Sequence, residues 1–231
     1  MKFDLHVHTR WSGDGVNTPA MIISRAKKRG LAGVAITDHN TMEGVARVRA
    51  LAPPGFIVIP GVEYSTDHGH ILALFCETFA KDFPRDNKGR FSLAELSPFV
   101  REQGGILIAA HPYQTPAYLD EQGPCGLPAS LFTYVDGLES ANARALSRDS
   151  GSKARVEAAA KESGLFVTGG SDAHLPMELG RCYTEFPPTV EKTLPALREA
   201  LLQGLQRADG QPGNMIYRKA SKLWEKVRPI G

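Results

Sequence analysis

Residues 2–9 read Lys2-Phe3-Asp4-Leu5-His6-Val7-His8-Thr9, and the alternation in this stretch decides the fold. Side chains two apart point to the same side of a strand. Phe3, Leu5 and Val7 therefore share an apolar face, and Asp4, His6 and His8 share a polar one. Both rings then project toward one point at the strand's end. Neutral imidazole nitrogens bind divalent metals at about 2.0–2.1 Å, so a pair at this spacing is a natural bidentate grip. Taken alone, two polar residues near a strand end give the same pattern, and the rest of the chain has to decide between them.

Outward from this stretch, short apolar runs alternate with amphipathic ones. Thr18-Pro19 opens a helix over residues 20–29, and Gly30 stops it. Residues 33–37 read as a second strand, and residues 42–51 as a helix ended by Pro53-Pro54-Gly55. A third strand is predicted at 56–59 and a fourth at 70–75, separated by a short polar loop. A helix over 93–103 follows a long polar loop around 81–90. Further strands fall at 106–109, 135–139, 165–168 and 182–186, with helices at 153–163 and 194–205.

Regular alternation of this kind predicts parallel β-α units, arranged as an open doubly wound sheet or a closed barrel. The two place chemistry differently. A barrel gathers it at the C-terminal ends of many strands. His8, His39, Glu63, His111, Glu139 and Asp172 each fall at or just past such an end. An open sheet would concentrate function in a glycine-rich loop, and no G-x-G-x-x-G follows the first strand. The barrel is the prediction.

Composition sets outer bounds. Of 231 residues, 42% are hydrophobic and 23% charged, with a formal net charge of +2, so a dedicated nucleic-acid-binding module is disfavoured. The longest apolar runs, such as residues 106–110, are far too short to span a bilayer. Cys76, Cys125 and Cys182 are odd in number and far apart, which indicates neither a thiolate zinc site nor a disulfide framework. A reducing, cytoplasmic setting is expected, and the first metal-ligand candidates arrive too early for a secretory leader. No membrane association and no obligate protein partner are inferred. The barrel is assigned to residues 1–210, and residues 211–231 to a C-terminal basic amphipathic helix. There Ile216, Ala220, Leu223, Trp224 and Val227 recur at helical spacing, with Arg218, Lys219, Lys222 and Lys226 between them. This pattern suits a helix docked on the barrel exterior, or a basic contact surface.

Further polar residues gather at the predicted strand ends. Asp14 lies in the tight turn Ser12-Gly13-Asp14-Gly15, and Thr37-Asp38-His39-Asn40 sets an acid beside an imidazole. Glu63 ends the third strand, His68 precedes the fourth and His70 opens it, and His111 follows the next in Ala110-His111-Pro112. Gly170-Ser171-Asp172-Ala173-His174 adds another acid and imidazole. Burying this many ionisable groups around one barrel mouth is costly unless metal neutralises them.

These motifs in this order resemble the PHP (polymerase and histidinol phosphatase) superfamily from Met1 to about Phe186. The resemblance implies a distorted seven-stranded, TIM-like β/α barrel and two to three divalent ions (Zn, Mn or Fe). It implies a first ion on His6, His8, Glu63 and Asp172, and a second on Glu63, His70 and His111. A third falls to Asp14, His39 and His174. Between His70 and His68, two residues before it, the family's glycine-histidine pattern favours His70. Asp38 is expected to orient an imidazole.

The resemblance also implies a phosphoric ester hydrolase, in which water activated between two ions attacks phosphorus in line. Glu63, Asp172 and His174 are its expected catalytic residues. Asn142, Arg144 and Arg181 are candidate substrate contacts, the arginines because a guanidinium fork matches phosphate oxygens. The expected substrate is a small phosphorylated compound or nucleotide, and a nucleic-acid end is compatible. The 27 residues between His111 and Glu139 leave no room for a helical insertion over the site. Two rivals remain: an amidohydrolase-type C–N hydrolase, disfavoured because no lysine stands at a strand end, and a non-catalytic metal-binding module.

Overall fold

The computed structural model describes residues 1–113 and 129–227; Cys125 and most of the segment between His111 and Glu139 lie outside them. Strand β1 (Lys2–Val7) forms where the alternation predicts it. The alternation itself breaks, however. The register with the next strand slips between Asp4 and Val7. Phe3 and Leu5 pack with Ala35, Ile59 and Leu72, whereas Val7 joins a different cluster with Ile22, Ile36 and Val48. The three apolar residues thus do not share one face. An irregularity of this kind re-aims side chains, and here both histidines come to the barrel's centre.

Helix α1 (Pro19–Lys28), capped by the Thr18 hydroxyl, leads to β2 (Gly33–Ile36), and α2 (Glu43–Leu51) to β3 (Ile57–Thr66). Strand β3 runs well past the predicted end because it changes partner. It pairs in parallel with β2 as far as Pro60, then antiparallel from Gly61 with β4 (Gly69–Leu74). Pro60 and Gly61 look like a strand end, but they sit where one ladder hands over to the other. A Cβ on Gly61 would come within 2.9 Å of the Ala73 carbonyl oxygen, so glycine permits the approach. The β3–β4 connection is only a tight turn, too short for a parallel crossover.

Helix α3 (Leu93–Glu102) precedes β5 (Ile106–Ala109), and a 3-10 turn (Ala129–Thr133) precedes β6 (Gly137–Asn142). Then come α4 (Ala143–Leu146), α5 (Ser152–Ser163), β7 (Phe166–Gly170), β8 (Cys182–Glu185), α6 (Leu194–Leu202), β9 (Arg207–Gly210) and α7 (Met215–Val227).

The sheet has nine strands rather than seven, in the order β7-β6-β5-β4-β3-β2-β1-β8-β9. It is mixed rather than all parallel: β3–β4, β4–β5, β1–β8 and β8–β9 are antiparallel. The ring nearly closes where the chain beyond β7 returns to β1. There Asp172 N–H donates to the His6 carbonyl (2.8 Å) and His8 N–H to the Ala173 carbonyl (3.1 Å). Strand β9 escapes the sequence reading because Arg-Ala-Asp-Gly has no strand pattern of its own and forms by pairing with β8. Apolar clusters fill the space between the sheet and helices α1, α2, α3, α5 and α6.

Helix α7 lies where the C-terminal pattern predicts it, but its described apolar residues do not dock. Ile216 and Leu223 are exposed, and the buried residue is Ser221, whose hydroxyl accepts from Arg144 Nη2 at 2.5 Å. The side chains of Trp224 and Val227 lie outside the described residues. Among the described residues no helix is long and apolar enough to cross a membrane.

Candidate metal centre

All nine expected donors converge at the mouth of the barrel. They form four overlapping groups: His8, Asp14, His39 and His174; His6, His8 and Glu63; His6, His111 and Asp172; His39, Glu63 and His70. Within each group the donor atoms lie within 4.8 Å of one another. These groups interleave more than three separate sets would, since His8 and His39 each reach two of them.

Glu63 is the hub. Its side chain is fully buried and meets five imidazoles. Oε2 lies 3.2 Å from His6 Nε2 and 3.2 Å from His8 Nε2, with His39 Nδ1 at 3.1 Å. Oε1 faces the other way, 2.9 Å from His70 Nδ1 and 3.2 Å from His111 Nε2. Asp172 Oδ1 joins the first pair, 3.4 Å from His8 and 3.8 Å from His6. Asp14 Oδ2 lies 2.7 Å from His174 Nε2 and 3.3 Å from His39 Nε2. His68, two residues from His70, turns to Asp67 and Ser130 instead.

Hydrogen bonds behind the rings fix which nitrogen faces the centre. His6 Nδ1 donates to Glu139 Oε1 (3.0 Å), and His174 Nδ1 to the Asp172 carbonyl (2.9 Å). His8 Nδ1 is held by Ser12 Oγ at 2.9 Å. In the neutral rings of His6 and His174, Nε2 therefore carries the lone pair. Lone pairs on His6 and His8 only 3.0 Å apart, both against a carboxylate, repel unless a cation or protons lie between them. The buried Asp14 Oδ1 and His111 Nδ1 find no hydrogen-bond partner among the described residues. A mixed imidazole and carboxylate donor set with such orphaned atoms fits divalent ions.

The charge balance agrees. Burial opposes ionisation of Glu63, but His39, His6 and His70 outweigh it and hold the carboxyl well below the usual range. Burial likewise opposes a charged His8, yet hydrogen bonds to Asp172 and Glu63 push it up to about 10. Burial opposes ionisation of Asp14 too, and the neighbouring His174 and His39 hold it far below its ordinary value. With only protons available, His8 keeps one, whereas burial and the neighbouring His8 lower His174; an ion would take the place of such protons.

Several supports were not legible from the motifs. Asp4 is fully buried and accepts from Ser171 N–H (2.8 Å), Ser171 Oγ (2.6 Å) and Gly180 N–H (2.7 Å), tying β1 to the loop that carries Asp172. Burial pushes its carboxyl up to about 6. Glu178 accepts the His174 and Leu175 N–H groups. Asn40, His111 and Asp172 all adopt positive φ (51°, 33° and 55°), a backbone cost borne where the strands open into the site.

Other expectations need correction. Asp38 orients no ring: its carboxylate accepts from Thr9 N–H and Thr9 Oγ1, at 2.5 and 2.6 Å. Asn142 is fully buried rather than poised for substrate; its amide donates to Glu139, and its oxygen caps α4 through Ala145 N–H. Arg144 is committed to Glu178 and Ser221, and Arg181 Nη1 to the Pro212 carbonyl. Asn142 and Arg144 thus position the site's surroundings through protein partners, whereas Arg181 Nε is buried with no hydrogen-bond partner among the described residues.

Comparison with known proteins adds an independent line. The PHP domain family matches residues 4–111, and the PHP-associated family matches residues 152–205. The uncharacterized protein MJ1587 of Methanocaldococcus jannaschii is 40% identical over 124 residues, covering 49% of this chain and 68% of that protein. The 5'-3' exoribonuclease Rnm of Escherichia coli is 36% identical over 108 residues, covering 40% of this chain and 36% of its own length. The chain thus spans little more than a third of that enzyme. In fold it is similar to a two-domain protein of Bacteroides vulgatus containing a predicted PHP-like metal-dependent phosphoesterase. The TM-score is 0.73 at 21% identity, over 96% of this chain and 69% of that one. The first match opens at Asp4 and closes at His111, taking in seven of the nine converging donors, the hub carboxylate among them. The chain belongs to the PHP domain family.

Proposed function

We propose that this chain is a metal-dependent hydrolase of phosphomonoesters or of nucleotide and nucleic-acid phosphoesters, working in the cytoplasm on a substrate that needs no protein partner. The observation that carries the reading is Glu63, whose Oε2 faces His6, His8 and His39 and whose Oε1 faces His70 and His111, as suits a carboxylate shared by two ions. Bound divalent ions would supply Lewis acidity toward a phosphoryl group and a nucleophile at neutral pH.

The chain's own residues do the rest. His6, His8, Glu63 and Asp172 would hold one ion, His70 and His111 with Glu63 a second, and Asp14, His39 and His174 a third. Zinc, manganese and iron all suit such donors. Asp172 is buried but for a small edge at the mouth, and its Oδ1 lies 3.3 Å from His174 Nδ1. We assign it the role of orienting water or accepting a proton, with His174 turning Nδ1 toward it and Nε2 toward Asp14. The buried free thiols Cys76 and Cys182 support a reducing setting.

The test is a panel of phosphomonoesters and phosphodiesters with protein loaded in turn with zinc, manganese or iron. Turnover is expected to vanish on chelation and return with metal. Because protons must leave His8 and its neighbours, metal affinity should rise with pH toward the value of about 10 at which His8 would lose its proton unaided. A fully loaded protein that hydrolyses no phosphoester would overturn the reading in favour of a non-catalytic module.

A further inference from the structure

The loop from Thr9 to Asn17 carries more than its metal donor. It is pinned across its base, with Arg10 N–H donating to the Asn17 carbonyl (3.0 Å) and Val16 N–H to the His174 carbonyl (2.9 Å). Ser12 in its middle touches the centre twice, holding His8 Nδ1 and accepting from His39 N–H (3.1 Å). Trp11 is bonded directly to that serine, and its own N–H donates to Thr9 Oγ1 at 3.1 Å. Its side chain is only half buried. A large apolar ring left partly in water at the rim of a polar centre calls for an explanation.

Two guanidiniums stand over the indole, Arg10 at 5.5 Å and Arg47 of α2 at 5.9 Å from the ring centroid. Both residues are exposed, and among the described residues neither has a carboxylate partner. Arg144, by contrast, is spent on Glu178. An aromatic face with two unpaired cations matches a ligand having both a π-face and negative charge. Nucleobases stack on indole and guanidinium planes, and a guanidinium pairs with phosphate oxygens. A sugar phosphate offers the charge and no π-face.

We propose that Trp11, with Arg10 and Arg47, forms a leaving-group subsite that stacks the base of a nucleotide whose phosphate lies at the metal centre. The inference rests on the phosphoesterase reading for the chemistry, but its binding test does not depend on turnover. The pinned loop makes the platform rigid relative to Asp14 and to the ring of His8. Trp11 is therefore a specificity-determining residue, and the preferred substrates are nucleotides or the terminal nucleotide of a strand.

The chain has two tryptophans, so Trp224→Phe leaves Trp11 as the only indole reporter. In that metal-loaded variant, the non-hydrolysable methylene phosphonate analogue of AMP should change the emission saturably. The corresponding ribose 5-phosphate analogue should not. In the otherwise unaltered chain, Trp11→Ala should raise KM about tenfold for AMP, the factor expected from one stacked base. It should leave KM for ribose 5-phosphate unchanged, and Trp11→Phe should restore most of the loss. Equal emission changes with the two analogues, or a Trp11→Ala effect shared by both substrates, would overturn the proposal. Saturable, base-dependent emission without hydrolysis of any ester would sink the phosphoesterase reading while upholding the subsite.

Discussion

The two flanks of the metal centre are supported differently. Along the seam between β1 and the chain beyond β7, the rings of His6, His8 and His174 have their outer nitrogens held by Glu139, Ser12 and the Asp172 carbonyl. On the β4–β5 side the His70 side chain is 31% exposed, and the buried His111 Nδ1 has no hydrogen-bond partner among the described residues. A ring gripped from behind keeps its tautomer and its aim whether or not an ion is bound. The His111 ring faces Glu63 with its Nδ1 unbonded among the described residues, so it depends more on the ion to set its orientation. The seam should therefore hold metal tightly, and the β4–β5 flank should exchange it.

The largest effect expected from this difference is in paired alanine variants. His6→Ala or His8→Ala should remove turnover at every metal concentration, because two donors and the shared Glu63 oxygen lose their common point. His70→Ala should lower turnover but recover part of it as metal is raised, since His111 and Glu63 remain. Rate measured against metal concentration separates the two, with circular dichroism to show that each variant is folded. If both behave alike, the two flanks are not functionally distinct.

A smaller effect probes the support itself. Glu139 accepts from His6 Nδ1, from His111 N–H (3.0 Å) and from Asn142 Nδ2 (2.9 Å), so it touches both flanks from below. Glu139→Gln keeps the shape but removes the charge, and an amide cannot accept through both ends. Metal affinity is expected to fall roughly 10- to 100-fold, the usual cost of losing a carboxylate behind a metal-bound histidine. Competition against a chelator of known affinity measures this directly. The loss should be greatest for the ion at His6, which sharpens the contrast with His70.

How much of this was legible in the sequence follows from what each signal depends on. The nine donors were readable because each lies within a short local motif. The helices too were readable, since caps and stops such as Thr18-Pro19 and Gly30 act locally. The antiparallel turn between β3 and β4 was hidden because Pro60-Gly61 looks like a terminator, and only the partner strand shows that it is a handover. The irregularity in β1 cannot be read from β1 alone, for it is a mismatch in register with β2. Asn142 and Arg144 looked free for substrate because Asp172, a partner of the first, and Glu178 and Ser221, partners of the second, lie far along the chain. Motif spacing names candidate donors; it does not say which are already bonded.

Ser12 offers the finest test of the comparison. Its hydroxyl performs for His8 the task that Glu139 performs for His6, but without charge. Hydrogen bonds to ionised groups are roughly twice as strong as neutral ones. Ser12→Ala leaves a buried ring nitrogen and the His39 N–H without their shared partner, at a net cost of about 0.5–1.5 kcal/mol. That corresponds to a loss in metal affinity of roughly two- to tenfold, below that of Glu139→Gln. Ser12→Thr retains the hydroxyl and should restore most of the loss, which a general loosening of the loop would not allow. If Ser12→Ala weakened metal binding as much as Glu139→Gln, the charge on Glu139 would contribute nothing special. The seam would then owe its grip to the fixed direction of its ring nitrogens alone.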